Sequence, residues 1–162
     1  MSLEISDGLL EEIRRHGARA YPNECCGALL GIVTDSEEKQ VQALLPLDNR
    51  RQGEAARTRF LVTADDFRWA EKQASEQGLE ILGFYHSHPD HPARPSQFDL
   101  ERALPWFSYI IVGVSRAQSG QARLADGQAG GKPQEVTSWV LADDRSQFLL
   151  EEIFPPPASN SE

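Results

Sequence analysis

Two histidines one residue apart, His86 and His88, followed after ten further residues by Asp99, have the types and spacing for metal chemistry. The apolar run Ile81 to Tyr85 leads directly into them. Bounded by Gly78 and a proline-rich stretch, that run reads as a short buried strand. Side chains alternate along a strand, so His86 and His88 share one face while Ser87 takes the other. Pro89, Pro92 and Pro95 stiffen the connection to Asp99. Ser96 reads as the N-cap of a short helix from about Gln97 to Ala103, with Asp99 in its first turn. A carboxylate there is kept ionised by the helix N-terminus, which suits a third ligand. Two imidazoles and one carboxylate leave a tetrahedral zinc ion one open position for water, the pattern of a catalytic rather than a structural site.

A plainer reading accounts for the same residues one at a time. Ser96-x-x-Asp99 is close to a capping box, and a His-x-His pair can be two half-buried histidines hydrogen-bonded to carbonyls. The complete set, on a strand end followed by a rigid loop and an acidic helix start, favours the metal.

The rest of the chain must position these groups. At 162 residues it is long enough to bury a core without disulfides or metal staples. Its 40% hydrophobic and 25% charged residues are ordinary for a soluble globular protein. No apolar run approaches the roughly 20 residues of a membrane span, and the N-terminus lacks a basic-then-apolar signal, so a cytoplasmic location is expected. With 16 Lys plus Arg against 25 Asp plus Glu, the formal net charge of −9 repels phosphate backbones and argues against nucleic acid as a partner. Cys25 and Cys26 are adjacent, a strained geometry for a disulfide, and lack the spacing of zinc ligands. They are expected reduced, on opposite faces of one strand.

Residues 6 to 20 read as a helix capped by Ser6 or Asp7, with Leu9, Leu10, Ile13 and Ala20 on its apolar face, stopped by Pro22. Cys26 to Thr34 reads as a central strand whose Gly27 and Gly31 admit close neighbours. After a turn at Asp35 to Glu38, Lys39 to Leu47 returns as its hairpin partner. Asp48 to Thr58 lacks periodicity and reads as an exposed loop, and Arg59 to Val62 as a strand. Thr63-x-x-Asp66 opens a helix to about Gln77, with Phe67, Ala70 and Ala74 inward. Ser108 to Ser115 is a buried strand. Gly120 to Pro133 reads as a glycine-rich loop, with an edge strand near Gln121 to Leu124. Glu135 to Leu141 and Ser146 to Ile153 form a final hairpin around Asp143-Asp144. One domain over residues 1–154 is expected, with a disordered tail over 155–162. Helices interleave irregularly with hairpins, so the class is a mixed-sheet α/β or α+β domain, not a doubly wound parallel one.

Hydrolysis at such a metal needs a proton acceptor within reach, commonly a carboxylate. Among the 25 acids, Glu24 stands out because it follows Pro22-Asn23 at the mouth of an apolar strand. Burial there raises a carboxyl pKa toward the range useful for moving protons. The alternative is a solvated strand-end acid, the commoner setting for Glu.

Glu24-Cys-Cys-Gly-Ala-Leu-Leu-Gly, followed downstream by His86-Ser-His-Pro and Ser96-Gln-Phe-Asp99, resembles the JAMM/MPN-plus metalloprotease family. Its signature is a Glu, a long gap, His-x-His, ten residues and an Asp, usually with a Ser three positions before that Asp. The resemblance covers about residues 3 to 153. It implies a cytidine-deaminase-like central sheet flanked by helices, with one zinc held by His86, His88 and Asp99 plus a water. It also implies Glu24 as general acid/base and Ser96 as hydrogen-bond donor to the tetrahedral intermediate or the zinc-bound water. Ser96 then has two claims on one hydroxyl. The catalytic one is favoured, leaving Asp99 and the loop to set the helix start.

Tyr85-His-Ser-His-Pro-Asp-x-Pro-Ala-x-Pro-Ser96 resembles the short stand-alone prokaryotic group of that family. This implies a peptidase or isopeptidase acting at the C-terminus of a ubiquitin-like or sulfur-carrier protein with a Gly-Gly tail, for example releasing cysteine. An extended tail needs an open sheet edge and a narrow groove, as in strand addition. Arg50, Arg51, Arg57 and Arg59 could flank that groove, although a solvated loop explains them more simply. His91 lies near the motif but outside it. Two rivals stand: a zinc amidohydrolase acting on small amides, and a non-catalytic scaffold domain of the same fold, against which the intact ligand set argues. A DNA-repair-associated relative would carry an extra helical domain, and this chain has neither that domain nor a basic face. The oligomeric state is not set by the sequence.

Overall fold

The strand that carries both histidines lies in the middle of the sheet. In the computed structural model, which describes residues 2–47, 63–116 and 131–157, strand β4 (Glu80–Pro89) is buried at every position after Glu80. It lies between β2 (Cys26–Val33), antiparallel to it, and β5 (Ser108–Arg116), parallel to it. Strand β3 (Lys39–Leu47) is the antiparallel hairpin partner of β2. On the other side, β6 (Gly131–Leu141) and β7 (Phe148–Phe154) continue β5 antiparallel. A short strand, β1 (Ser2–Glu4), runs parallel to both β3 and β7 and closes the sheet into a barrel of order β1-β3-β2-β4-β5-β6-β7. The mixed-sheet class is as expected.

Helices cover two faces. In α1 (Asp7–Ala20) the Ser6 side chain accepts a hydrogen bond from the Leu9 N–H at 3.2 Å, and Leu10 and Ile13 are buried. Helix α2 (Ala64–Glu76) begins with a reciprocal capping box between Thr63 and Asp66 and buries Ala70 and Ala74. Alternation along the strands divides the core accordingly. Cys25, Leu29, Tyr85, Ile110 and Val112 pack with Leu10 and Ile13 of α1. Cys26, Ala28, Leu30 and Phe84 pack with Ala70 and Ala74 of α2. Each fully buried Leu or Ile contributes about 1.5–3 kcal/mol, so these two layers hold β4 firmly in place. The glycines of β2 serve as expected. A Cβ on Gly27 would sit 2.2 Å from the Tyr85 ring, and one on Gly31 would sit 1.9 Å from the Gln40 carbonyl oxygen.

Two features depart from the sequence reading. The closing strand β1 is not foreseen, and residues 131–133 are strand rather than loop, with Gly131 opposite Arg116 and Pro133 opposite Val114. Pro133 is tolerated because the register shifts between Val112 and Val114, a bulge where a missing N–H costs nothing. The expected loop at 48–58, the strands at 59–62 and 121–124, residues 120–130 of the expected glycine-rich loop and residues 158–162 of the expected tail lie outside the described residues. Among the described residues no helix is long and apolar enough to cross a membrane.

Candidate metal centre

Because β4 stays extended through Pro89, His86 and His88 project from the same face, and both are buried. Their Nε2 atoms are 3.0 Å apart. Asp99 spans the pair, with Oδ1 3.3 Å from His86 Nε2 and Oδ2 3.3 Å from His88 Nε2. Donors about 2.0–2.1 Å from a tetrahedral metal stand roughly 3.3 Å from one another, so these spacings suit one divalent ion shared by all three residues. The ligand atoms of His86, His88 and Asp99 all lie within 4.8 Å of one another.

The surroundings prepare these groups as ligands. His88 Nδ1 lies 3.0 Å from the Pro92 carbonyl oxygen. A carbonyl only accepts, so Nδ1 carries a proton and Nε2 is the nitrogen left to face the centre. Burial lowers the His86 pKa, which favours the neutral form a metal requires. Burial pushes the Asp99 carboxyl upward, but the two imidazoles beside it, His86 foremost, and the hydrogen bond from the Ser96 N–H outweigh it and hold it well below the usual carboxylate range.

Asp99 sits in the first turn of α3 (Gln97–Arg102), and the structure gives Ser96 the capping role. Ser96 Oγ accepts from the Asp99 N–H at 3.2 Å, and the Ser96 N–H donates to Asp99 Oδ2 at 2.8 Å. The expectation that the catalytic role would displace the cap is thereby corrected. A cap uses one lone pair of the hydroxyl and leaves its hydrogen to donate elsewhere, so the two roles do not exclude each other.

The loop joining the ligands is pinned at several points. Asp90 takes a left-handed φ of 58°, its N–H donates to the Val114 carbonyl at 2.6 Å, and its carboxylate accepts from the Tyr21 hydroxyl at 2.8 Å. Thr137 Oγ1 donates to the Ala93 carbonyl at 2.6 Å. The sequence reading gives Pro92 only the role of stiffening this loop, not that of accepting from His88, and gives Tyr21 and Thr137 no part in the site.

Glu24 is buried at 4% exposure. Cys26 lies directly opposite His86, and the Ser87 N–H donates to the Cys25 carbonyl at 3.2 Å, so the β2–β4 pairing runs one residue beyond the strand. Glu24 is thus two residues before Cys26, the position paired with His86. Ser87 Oγ, on the opposite face and fully buried, accepts from the Cys25 N–H at 2.8 Å and ties this corner together. Ser87→Ala leaves that N–H unsatisfied. It is expected to cost about 1–3 kcal/mol in chemical denaturation, with metal affinity retained. Burial pushes the Cys25 thiol up to about 12, so it remains protonated, and both buried cysteines are outside any disulfide. The His91 side chain is exposed and outside the cluster.

The family of prokaryotic homologs of the JAB domain matches residues 6–141. A probable TtuB-protein conjugate cleaving protease of Thermus thermophilus is 34% identical over 112 residues, covering 69% of this chain and 70% of that protein. A desampylase of Haloferax volcanii is 32% identical over 114 residues, covering 69% and 76%. The solution structure of a protein from Salinibacter ruber superposes with a TM-score of 0.69 at 46% identity, covering 97% of this chain and 94% of that one. With the family matched from the first helix to the end of β6, and relatives above 30% identity over two thirds of its length, this chain belongs to the prokaryotic JAB-domain family, as its Glu24, His86-x-His88 and Asp99 pattern implied.

Proposed function

We propose that this protein is a zinc-dependent peptidase or isopeptidase that hydrolyses an amide bond at the C-terminus of a ubiquitin-like or sulfur-carrier protein. The observation that carries the reading is the convergence of His86, His88 and Asp99 on one point, and the buried Glu24, two residues before the strand position paired with His86, supports it. A divalent ion held by these three residues supplies Lewis acidity toward the carbonyl and lowers the pKa of water toward about 7. Two imidazoles and a carboxylate form a donor set that suits zinc. The names of the Thermus and Haloferax relatives, one cleaving protein conjugates and one a desampylase, support a protein-tagged amide as substrate.

Glu24 takes a proton from the attacking water as oxygen bonds to the carbonyl carbon. It returns that proton to the leaving nitrogen as the C–N bond breaks, and acid and amine are the products. Ser96 donates its free hydroxyl hydrogen to the oxyanion while its oxygen continues to cap α3. Ser96→Ala should therefore do two separable things: lower kcat by about 10²–10³-fold and lower stability by about 1 kcal/mol. A rate loss below tenfold, with the stability loss intact, reduces Ser96 to a cap.

The deciding experiment incubates zinc-loaded protein with a carrier ending in Gly-Gly that bears a C-terminal extension, and in parallel with a small amide. Cleavage after Gly-Gly supports the proposal. Turnover of the small amide alone indicates an amidohydrolase. A protein that binds no metal and cleaves neither is a scaffold domain.

A further inference from the structure

A cavity of about 230 Å³ opens beside the metal centre and shares His86 and Asp99 with it. Its walls are aromatic, formed by Phe67, Phe84, Phe98, Tyr109 and Phe148, and Arg102 also lines it. We propose that this cavity receives the side chain on the leaving side of the scissile bond, selecting a large apolar residue whose free α-carboxylate is held by Arg102. The inference rests on the hydrolytic reading above and names the residue released.

Three observations carry it. Whatever fills the cavity lies against two of the three candidate ligands, so it belongs to the residues flanking the reacting bond. The volume is below the roughly 300–1,000 Å³ of pockets that enclose drug-sized ligands, and so suits one side chain rather than a peptide segment. A Gly-Gly tail has no side chain to place there, which leaves the residue on the other side of the bond. Arg102 ends α3 three residues after Asp99. Its guanidinium lies 4.7 Å from the centre of the Phe98 ring, and it makes no ion pair with any described residue. Held beside an aromatic ring, a guanidinium keeps its donors available to a carboxylate as a planar fork. An apolar wall with a cation at its edge recognises an amino acid with a free C-terminus. In an isopeptide the leaving nitrogen is the neutral, acylated lysine Nε, and the carbon attached to it bears no carboxylate for Arg102 to hold.

The test uses peptides ending in Gly-Gly-Phe, Gly-Gly-Ala and Gly-Gly-Lys as free acids, with Gly-Gly-Phe amide alongside. Burying an aromatic side chain predicts kcat/KM at least about tenfold higher for Phe than for Ala. Arg102→Ala should bring the acid-to-amide ratio for the Phe peptide close to one. Ala64→Trp, at an exposed position lining the cavity, should cut the Phe-to-Ala ratio about tenfold or more. Independently of catalysis, NMR titration of the metal-free protein with L-phenylalanine should shift Phe98 and Tyr109 resonances, and L-alanine should not. Hydrolysis of all the peptides at equal rates, or a preference for Lys, overturns the inference while leaving the hydrolase standing. Phenylalanine binding without hydrolysis of any peptide supports the cavity and overturns the hydrolytic reading instead. Failure of both binding and hydrolysis overturns the two together.

Discussion

Glu24→Gln is expected to lower kcat by about 10²–10⁴-fold, the range a positioned general acid/base contributes, while metal content and melting temperature stay close to wild type. The substitution keeps the shape of the side chain and replaces an oxygen that accepts a proton with an amide that does not accept one near neutral pH. Glu24 is not among the three residues that cluster as ligands, so metal uptake should not depend on it. Its burial makes the isosteric change preferable to alanine, which would open a cavity as well as remove the base. Glu24→Asp offers a second test, because it retains the acid but withdraws it by one methylene. Proton transfer requires heavy atoms within about 2.6–3.2 Å, so Asp should also be slow. Single-turnover kinetics on a carrier conjugate, with metal analysis and thermal melts on the same samples, separate chemistry from binding and folding. A Gln variant within tenfold of wild type removes Glu24 from the mechanism.

Local sequence pattern reached far into this fold because its key elements announce themselves locally. Ser6 before Leu9-Leu10-x-x-Ile13, and Thr63 three residues before Asp66, are start signals whose hydrogen bonds the structure shows. His86 and His88 were placed on one face by strand period alone, and β4 keeps that period through Pro89. What was not legible depends on partners distant in sequence. Strand β1 has three residues, too few to show alternation, and it exists because Lys39–Gln40 and Glu152–Phe154 flank it on both sides. The expected loop at 131–133 is strand because β5 extends to Arg116 and needs a neighbour there. The aromatic cavity joins residues from 67 to 148 and leaves no local signature. That Ser96 keeps its cap was not legible for a different reason: spacing alone makes its two roles rivals for one oxygen, whereas the cap uses a lone pair and leaves the hydroxyl hydrogen to donate.

Asp99→Asn should reduce zinc affinity by more than the roughly 10–100-fold that follows loss of a supporting outer-shell partner, since Asp99 is itself placed to ligate. Asn retains a carbonyl oxygen that can accept from the Ser96 N–H, so the start of α3 survives. What disappears is the negative charge that spans His86 and His88, with an oxygen 3.3 Å from each ring. The variant therefore separates the metal role of Asp99 from its capping role, which alanine would not. Linkage supplies a readout independent of turnover. An ion bound only by the folded state stabilises it by about 2.7 kcal/mol at a free concentration 100 times Kd. Wild type should melt higher in added zinc and lower after chelation, and Asp99→Asn should melt at nearly the same temperature in both. Competition against a chromophoric chelator gives the affinity directly. If the Asn variant holds zinc as tightly as wild type, with the same melting response, the ion is bound somewhere other than between these three side chains. The assignment of His86 and His88 as ligands would then fall with that of Asp99, because the argument for each is their common point of convergence.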